Sequence, residues 1–197
     1  MSDIEIAKAN EQPASQEKKK PAFLDEALDM FRSIAVTITI VVLIFTFIAR
    51  TAVVNGRSMN ETLHDKDRVL LWSLMYTPEP GDIVAANCRG LNQPVGEVII
   101  KRVIAVGGQT VDIDFSTGTV YVDGTALDEP YINNPTVNDE GGFDYPITVK
   151  EGYYFCMGDN RQHSTDSRSA AVGLVSREDI LGKAILRFYP IKDIAVF

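Results

Sequence analysis

Two side chains in this sequence have the types needed for a nucleophile and its base. Ser58 stands in the polar run Gly56, Arg57, Ser58, Met59, Asn60, and Lys101 interrupts the apolar run Glu97 to Val106. A serine hydroxyl is a poor nucleophile near neutral pH and needs a base, and a lysine serves only as the neutral amine. Burial supplies that condition, because taking an ammonium out of water disfavours its charged form and lowers its pKa by up to about 3–5 units. Side chains alternate along a strand, so Lys101 shares a face with Ile99, Val103 and Ala105, while Arg102 shares the other with Ile100 and Ile104. At least one of these adjacent cations must border apolar surroundings. Arg102 cannot be the base, since guanidinium does not deprotonate. The plainer reading is an edge strand on which lysine blocks mispairing, or a side chain that snorkels to water.

A third polar stretch runs from Gly158 to Arg168, after the apolar strand end Tyr154, Phe155, Cys156, Met157. Read plainly, it is a strand-terminating turn whose side chains satisfy backbone groups and each other. Read for chemistry, it orients the base, with a hydroxyl such as Ser164 bonding the lysine amine and Asp166 pairing Arg168 to fix the loop.

The elements that must position these residues follow from patterning. Beyond residue 50, short runs rich in β-branched and aromatic residues alternate with turn formers, which reads as a mostly β domain. Expected strands are Val69 to Leu74, Asp82 to Asn87, Glu97 to Val106, Thr110 to Asp114, Thr119 to Asp123, Tyr153 to Met157 and Lys183 to Tyr189. Val111 to Asp114 and Val120 to Val122, joined through Ser116, Thr117 and Gly118, form the clearest hairpin. Ser176 followed by Asp179 has the spacing of a capping box, so a short helical turn is expected there. The run Leu70 to Tyr76 reads as core strand, although Trp72 and Tyr76 also suit a lipid surface.

Upstream, Ser33 to Ala49 carries no charge and is bracketed by Arg32 and Arg50. Seventeen residues lie at the short end of the ~17–25 that cross a bilayer, which makes 33–50 a transmembrane helix candidate. The 32 residues before it hold seven acids, unlike the short basic start of a cleaved signal, so an uncleaved anchor is expected, behind a disordered leader at 1–32. Lys18, Lys19, Lys20 and Arg32 favour a cytoplasmic N-terminus, which leaves 51–197 as an extracytoplasmic domain. Ser58 is nine positions beyond Ala49, so at ~3.3–3.6 Å per residue it stays within roughly 30 Å of the membrane surface.

From Asn55 to Phe197 there are 13 basic and 20 acidic side chains, a charge of −7, so a nucleic-acid surface is excluded. Cys88, Cys156, His64 and His163 do not cluster at metal-ligand spacing, so no metal site is expected. The spacing of the two cysteines does not say whether they approach closely enough for a bridge.

Together these segments resemble the bacterial type I signal peptidases, membrane-anchored serine proteases with a Ser-Lys dyad. The resemblance rests on Ser58, Met59, Thr62 and Leu63; on Gly81, Asp82, Ile83 and Val84; on Lys101 to Ile104 with Gly107 and Gly108; and on Gly158 to Arg168. The short stretch between base and last motif is similar to the compact Gram-positive form. It implies Ser58 as nucleophile, Lys101 as general base, Ser164 holding the amine, and Asp166 with Arg168 bracing the loop. It implies as substrates exported preproteins with small residues before the cleavage site, bound as an added strand, and a lipid bilayer as the other partner. The chain departs from the family at Glu61, where proline is usual. It also carries Gly56 where some relatives place an oxyanion-binding serine, so that contribution is missing or falls to an amide N–H.

Other readings are weaker. A tethered scaffold that had lost catalysis would not need both Ser58 and Lys101. A Ser-His-Asp hydrolase would use His64 or His163, yet the sequence after Ser58 lacks the second glycine of the hydrolase elbow. A self-cleaving repressor of related fold would carry a DNA-reading helix where this chain has its apolar segment.

Overall fold

The computed structural model describes residues 22–47, 49–88 and 97–197. Strong helix formers such as Ala22, Leu24, Glu26 and Leu28 lead directly into the apolar run, so one helix, α1, extends over Ala22–Phe47. It therefore starts well before residue 33, and 22–32 is helical rather than part of an unfolded leader; the leader residues 1–21 lie outside the described residues. Asp25 sits in the first turn, where its charge complements the helix dipole. The stretch Phe23–Ile44 is long and apolar enough to cross a membrane. Residues up to Val41 and the domain Val42–Phe197 are separate compact units.

The anchor segment does not run to residue 50. A strand, β1, spans Ala49–Val53 and pairs antiparallel with β2, Arg68–Trp72, with Ala49 opposite Trp72 and Val53 opposite Arg68. Patterning misses β1 because Arg50 and Thr51 break its apolar residues into a stretch too short to show a period; the β2 ladder satisfies its backbone. The domain continues through β3 Ile83–Cys88, β4 Glu97–Val106, β5 Thr110–Asp114, β6 Thr119–Val122, β7 Thr125–Ala126, β8 Ile147–Thr148, β9 Tyr153–Met157, β10 Val175–Ser176, β11 Ile180–Tyr189 and β12 Ala195–Val196. The seven expected strands are all present, with ends shifted by up to three residues.

Among the described residues one sheet has the order β1-β2-β11-β3-β4-β9-β10, with β12 on β11, and a second has the order β7-β6-β5-β8. The β5–β6 hairpin is antiparallel, Val111 opposite Val122, as expected. Ser176 caps a 3-10 turn at Arg177–Asp179, its hydroxyl accepting from the Asp179 N–H, so the capping-box spacing works as read. Core clusters form around Val69, Leu71 and Ile100, around Val111, Val120 and Phe155, and around Val84, Val103 and Cys156. Both cysteines are buried and free.

The Leu70 to Tyr76 run divides. Leu71 is buried, but Trp72 is 40% exposed, its Nε1 donates to the Leu74 carbonyl at 3.0 Å, and the strand ends there, two residues earlier than expected.

Candidate active site

Strand β4 is the axis of the site. It pairs with β3 from Glu97 to Arg102 and with β9 from Arg102 onward, Arg102 opposite Met157. Lys101 thus lies at the point where β9 stops covering the second edge of β4. Lys101 is 5% exposed despite its charge-bearing side chain. Its Nζ and the Ser58 Oγ are hydrogen-bonded at 2.8 Å, across 43 residues of chain. Among the described residues Ser58 Oγ has no other partner, and neither His64 nor His163 bonds to it. Burial pushes the Lys101 amine below its ordinary value, against the charge of Asp166, which favours the ammonium. This is the combination that a lysine base requires: a desolvated amine against a hydroxyl.

Arg102, on the opposite face, is held where a cation is stable. Its Nε donates to Asp159 Oδ1 at 2.9 Å and its Nη2 to Asp159 Oδ2 at 2.7 Å, and its guanidinium lies 4.0 Å from the Tyr131 ring centroid. This bidentate pair ties β4 to the turn after β9. Thr62 Oγ1 donates to the same carboxylate at 2.6 Å, which ties in the loop after Ser58. Neither Asp159 nor Thr62 was assigned such a role from sequence; 97 positions separate them.

The turn at Gly158 also grips the nucleophile loop directly. The Asn160 N–H donates to the Ser58 carbonyl and its side-chain amide to the Arg57 carbonyl, both at 3.0 Å. A Cβ on Gly158 would overlap the Ser58 carbonyl oxygen and the Ser164 hydroxyl, so glycine is required for this close approach. The Ser58 backbone N–H has no acceptor among the described residues, which leaves it available to an oxyanion.

Asp166 and Arg168 pair as expected. Arg168 Nε donates to Asp166 Oδ1 and Nη2 to Oδ2, both at 2.9 Å, in a fully buried fork. Burial alone would raise the Asp166 carboxyl, but hydrogen bonds and charge from Arg168, the Gly158 N–H and Ser164 hold it below the usual carboxylate range. Ser164 is placed differently from expectation. Its hydroxyl donates to Asp166 Oδ2 at 2.7 Å, and no bond to the Lys101 amine is present among the described residues. Ser164 thus acts on the carboxylate that braces the loop.

The Gly56 N–H donates to Asp65 Oδ1 at 2.8 Å, so of the two alternatives at this position the amide of Gly56 itself is already engaged; the residue supplies a left-handed bend, φ +88°. Arg161 is a further residue whose part patterning did not show. Its guanidinium is fully buried, reaching Thr136 Oγ1 at 2.6 Å and the Glu129 carboxylate.

A cleft of about 200 Å³ opens at the dyad, lined by Val53, Val54, Met59 and Ile100 as well as Ser58 and Lys101. A serine and a buried amine at hydrogen-bond distance, beside a cleft and, among the described residues, a stretch of β4 edge that β9 does not pair, can attack and hydrolyse an extended peptide.

The profile of the family described as "Signal peptidase, peptidase S26" matches residues 27–189. The chain belongs to that family. Family membership makes it a peptidase, a hydrolase of peptide bonds, with the Ser-Lys chemistry that the dyad geometry fits. It is 33% identical over 190 residues to "Signal peptidase I" of Bacillus amyloliquefaciens, covering 90% of this chain and 96% of that protein. It is 34% identical over 176 residues to "Signal peptidase I S" of Bacillus subtilis (strain 168), covering 84% and 91%. A crystal structure of a signal peptidase I from Enterococcus faecalis V583 is 30% identical, with a TM-score of 0.43 over 55% of this chain and 97% of that one.

Proposed function

We propose that this peptidase removes signal peptides from exported preproteins, with Ser58 as nucleophile and Lys101 as general base. The observation that carries the assignment is the 2.8 Å contact between the Ser58 hydroxyl and a lysine that is 5% exposed. Neutral Lys101 accepts the hydroxyl proton as Ser58 Oγ attacks the scissile carbonyl; the oxyanion is received by the Ser58 N–H. The lysine returns the proton to the leaving amine and the C–N bond breaks. It then deprotonates a water that releases the acyl group from Ser58. Asp166 and Arg168 brace the loop behind the amine, and Ser164 takes part through Asp166.

The substrate enters as an extended strand along β4 before Arg102, where β9 no longer pairs, with small side chains directed into the Val53, Val54 and Ile100 cleft. A slot of this size, with Val53, Val54 and Ile100 in its wall, favours alanine-like residues before the cleavage site. α1 anchors the chain in the bilayer, and the lysines and Arg32 ahead of its apolar stretch favour a cytoplasmic N-terminus with residues 51–197 outside.

The test is cleavage of a model preprotein by the detergent-solubilised full chain. Ser58→Ala and Lys101→Ala are each expected to abolish processing while the domain stays folded. In the parent, kcat/KM should rise with pH through an apparent pKa well below that of free lysine. Near-normal turnover by Lys101→Ala at neutral pH overturns the assignment.

A further inference from the structure

The acidic pair Asp139 and Glu140 has no place in the dyad mechanism, yet the segment carrying it clasps Arg168 from several directions. The Asn138 carbonyl accepts from Arg168 Nη1 at 3.4 Å, and the Gly142 N–H donates to the Arg168 carbonyl at 2.8 Å. Gly141 and Ser169 form a β-bridge, and a Cβ on Gly142 would overlap the Arg168 carbonyl oxygen. The two acids then part company. Asp139 is exposed and accepts from the Gly141 N–H at 2.9 Å, whereas Glu140 Oε1 lies 3.4 Å from Arg168 Nη2. That nitrogen also donates to Asp166 Oδ2 at 2.9 Å. One buried guanidinium therefore serves two carboxylates, of which Asp166 is the nearer and Glu140 the more exposed.

The charges that meet here are those of Lys101, Asp166, Arg168 and Glu140, flanked by the Tyr145 hydroxyl and the Cys156 thiol. Glu140 favours the Lys101 ammonium and Arg168 disfavours it. Burial and the Asp166 charge lift the Glu140 carboxyl to about 6, while Arg168 and Lys101 pull it down.

We propose that Glu140 is a positioning residue for the base, setting through its share of Arg168 the charge balance that Lys101 experiences. The inference rests on the assignment of Lys101 as base. Removing the Glu140 charge should make the neutral amine easier to form, since a carboxylate near an ammonium stabilises the protonated form.

The experiment is kcat/KM against pH for the full chain on a model preprotein. Glu140→Gln should move the acid limb to lower pH by about 0.3–1 unit, below the shift from a charge in direct contact because Glu140 acts on Lys101 through Arg168. Glu140→Ala should move it the same way, so a fault peculiar to the glutamine variant does not decide the matter. Asp139→Asn should leave the limb in place. An unmoved limb in both Glu140 variants overturns the proposal, including the case where rates fall equally at every pH, as does an equal shift in Asp139→Asn. A parent profile with no acid limb would instead remove Lys101 as base, and this inference with it.

Discussion

The backbone N–H of Asn160 donates to the carbonyl of Ser58 at 3.0 Å, so the turn after β9 holds the main chain of the proposed nucleophile itself. The Asn160 side chain adds a second bond, to the Arg57 carbonyl at 3.0 Å. With the Arg102–Asp159 fork at 2.7 Å and the Thr62–Asp159 bond at 2.6 Å, β4, the Ser58 loop and the turn form one cross-linked unit.

Asn160→Ala keeps the backbone bond and removes the side-chain one, which is worth about 1 kcal/mol. We expect kcat to fall about tenfold, because small displacements of a reacting group cost rate steeply. KM and the thermal midpoint should change little, and steady-state kinetics beside a melting curve will check this.

Gly158→Ala places a methyl group against the Ser58 carbonyl and the Ser164 hydroxyl. The loop must retreat from Lys101. Turnover should drop by about a hundredfold or more, the cost of roughly 1 Å of misplacement. Equal turnover in the variant and its parent would mean that the Ser58 position is not set by this contact.

Lys101→Met should abolish activity and also raise stability, in a pH-dependent way. The folded-state pKa of Lys101 lies below its ordinary value, with burial as the main cause. Between the folded and unfolded pKa values the unfolded chain binds more protons, so parent stability rises with pH across that window. The advantage of methionine should therefore be largest at acid and neutral pH and shrink as the pH approaches the ordinary lysine value. Melting temperatures of both proteins across that range measure it.

Glu129→Gln leaves the Arg161 guanidinium, whose side chain is 0% exposed, without its carboxylate. Breaking such a pair costs about 3–5 kcal/mol. Urea unfolding should show a loss of that order, and Arg161 with Thr136 should no longer fix the turn that carries Asn160.

Much of the site was legible because it is written in local patterns. The apolar alternation of Glu97 to Val106 specifies a strand whatever it packs against, and the Gly158 to Arg168 run brings Asp166 and Arg168 together over two positions. β1 was hidden, because Ala49 to Val53 is five residues without clean alternation, Arg50 and Thr51 side by side within it, and becomes strand only when β2 offers a ladder. Thr62 with Asp159, Asn160 with Arg57, and Glu140 with Arg168 join positions 97, 103 and 28 apart, and no periodicity links such pairs. Ser164 bonds Asp166, two residues away, and which lone pair or proton meets the amine is a matter of packing that the local pattern does not carry.

Sequence alone determined that Lys101 and Arg102 point to opposite faces, since neighbouring side chains on a strand alternate. Which of the two would meet Ser58 was decided by tertiary structure. β3 and β9 flank β4 so that the Arg102 face receives Asp159 and Tyr131, and the Lys101 face receives the nucleophile loop. Alternation is a local steric property of the chain. Dryness belongs to the packed sheet, and dryness is what turns a lysine into a base.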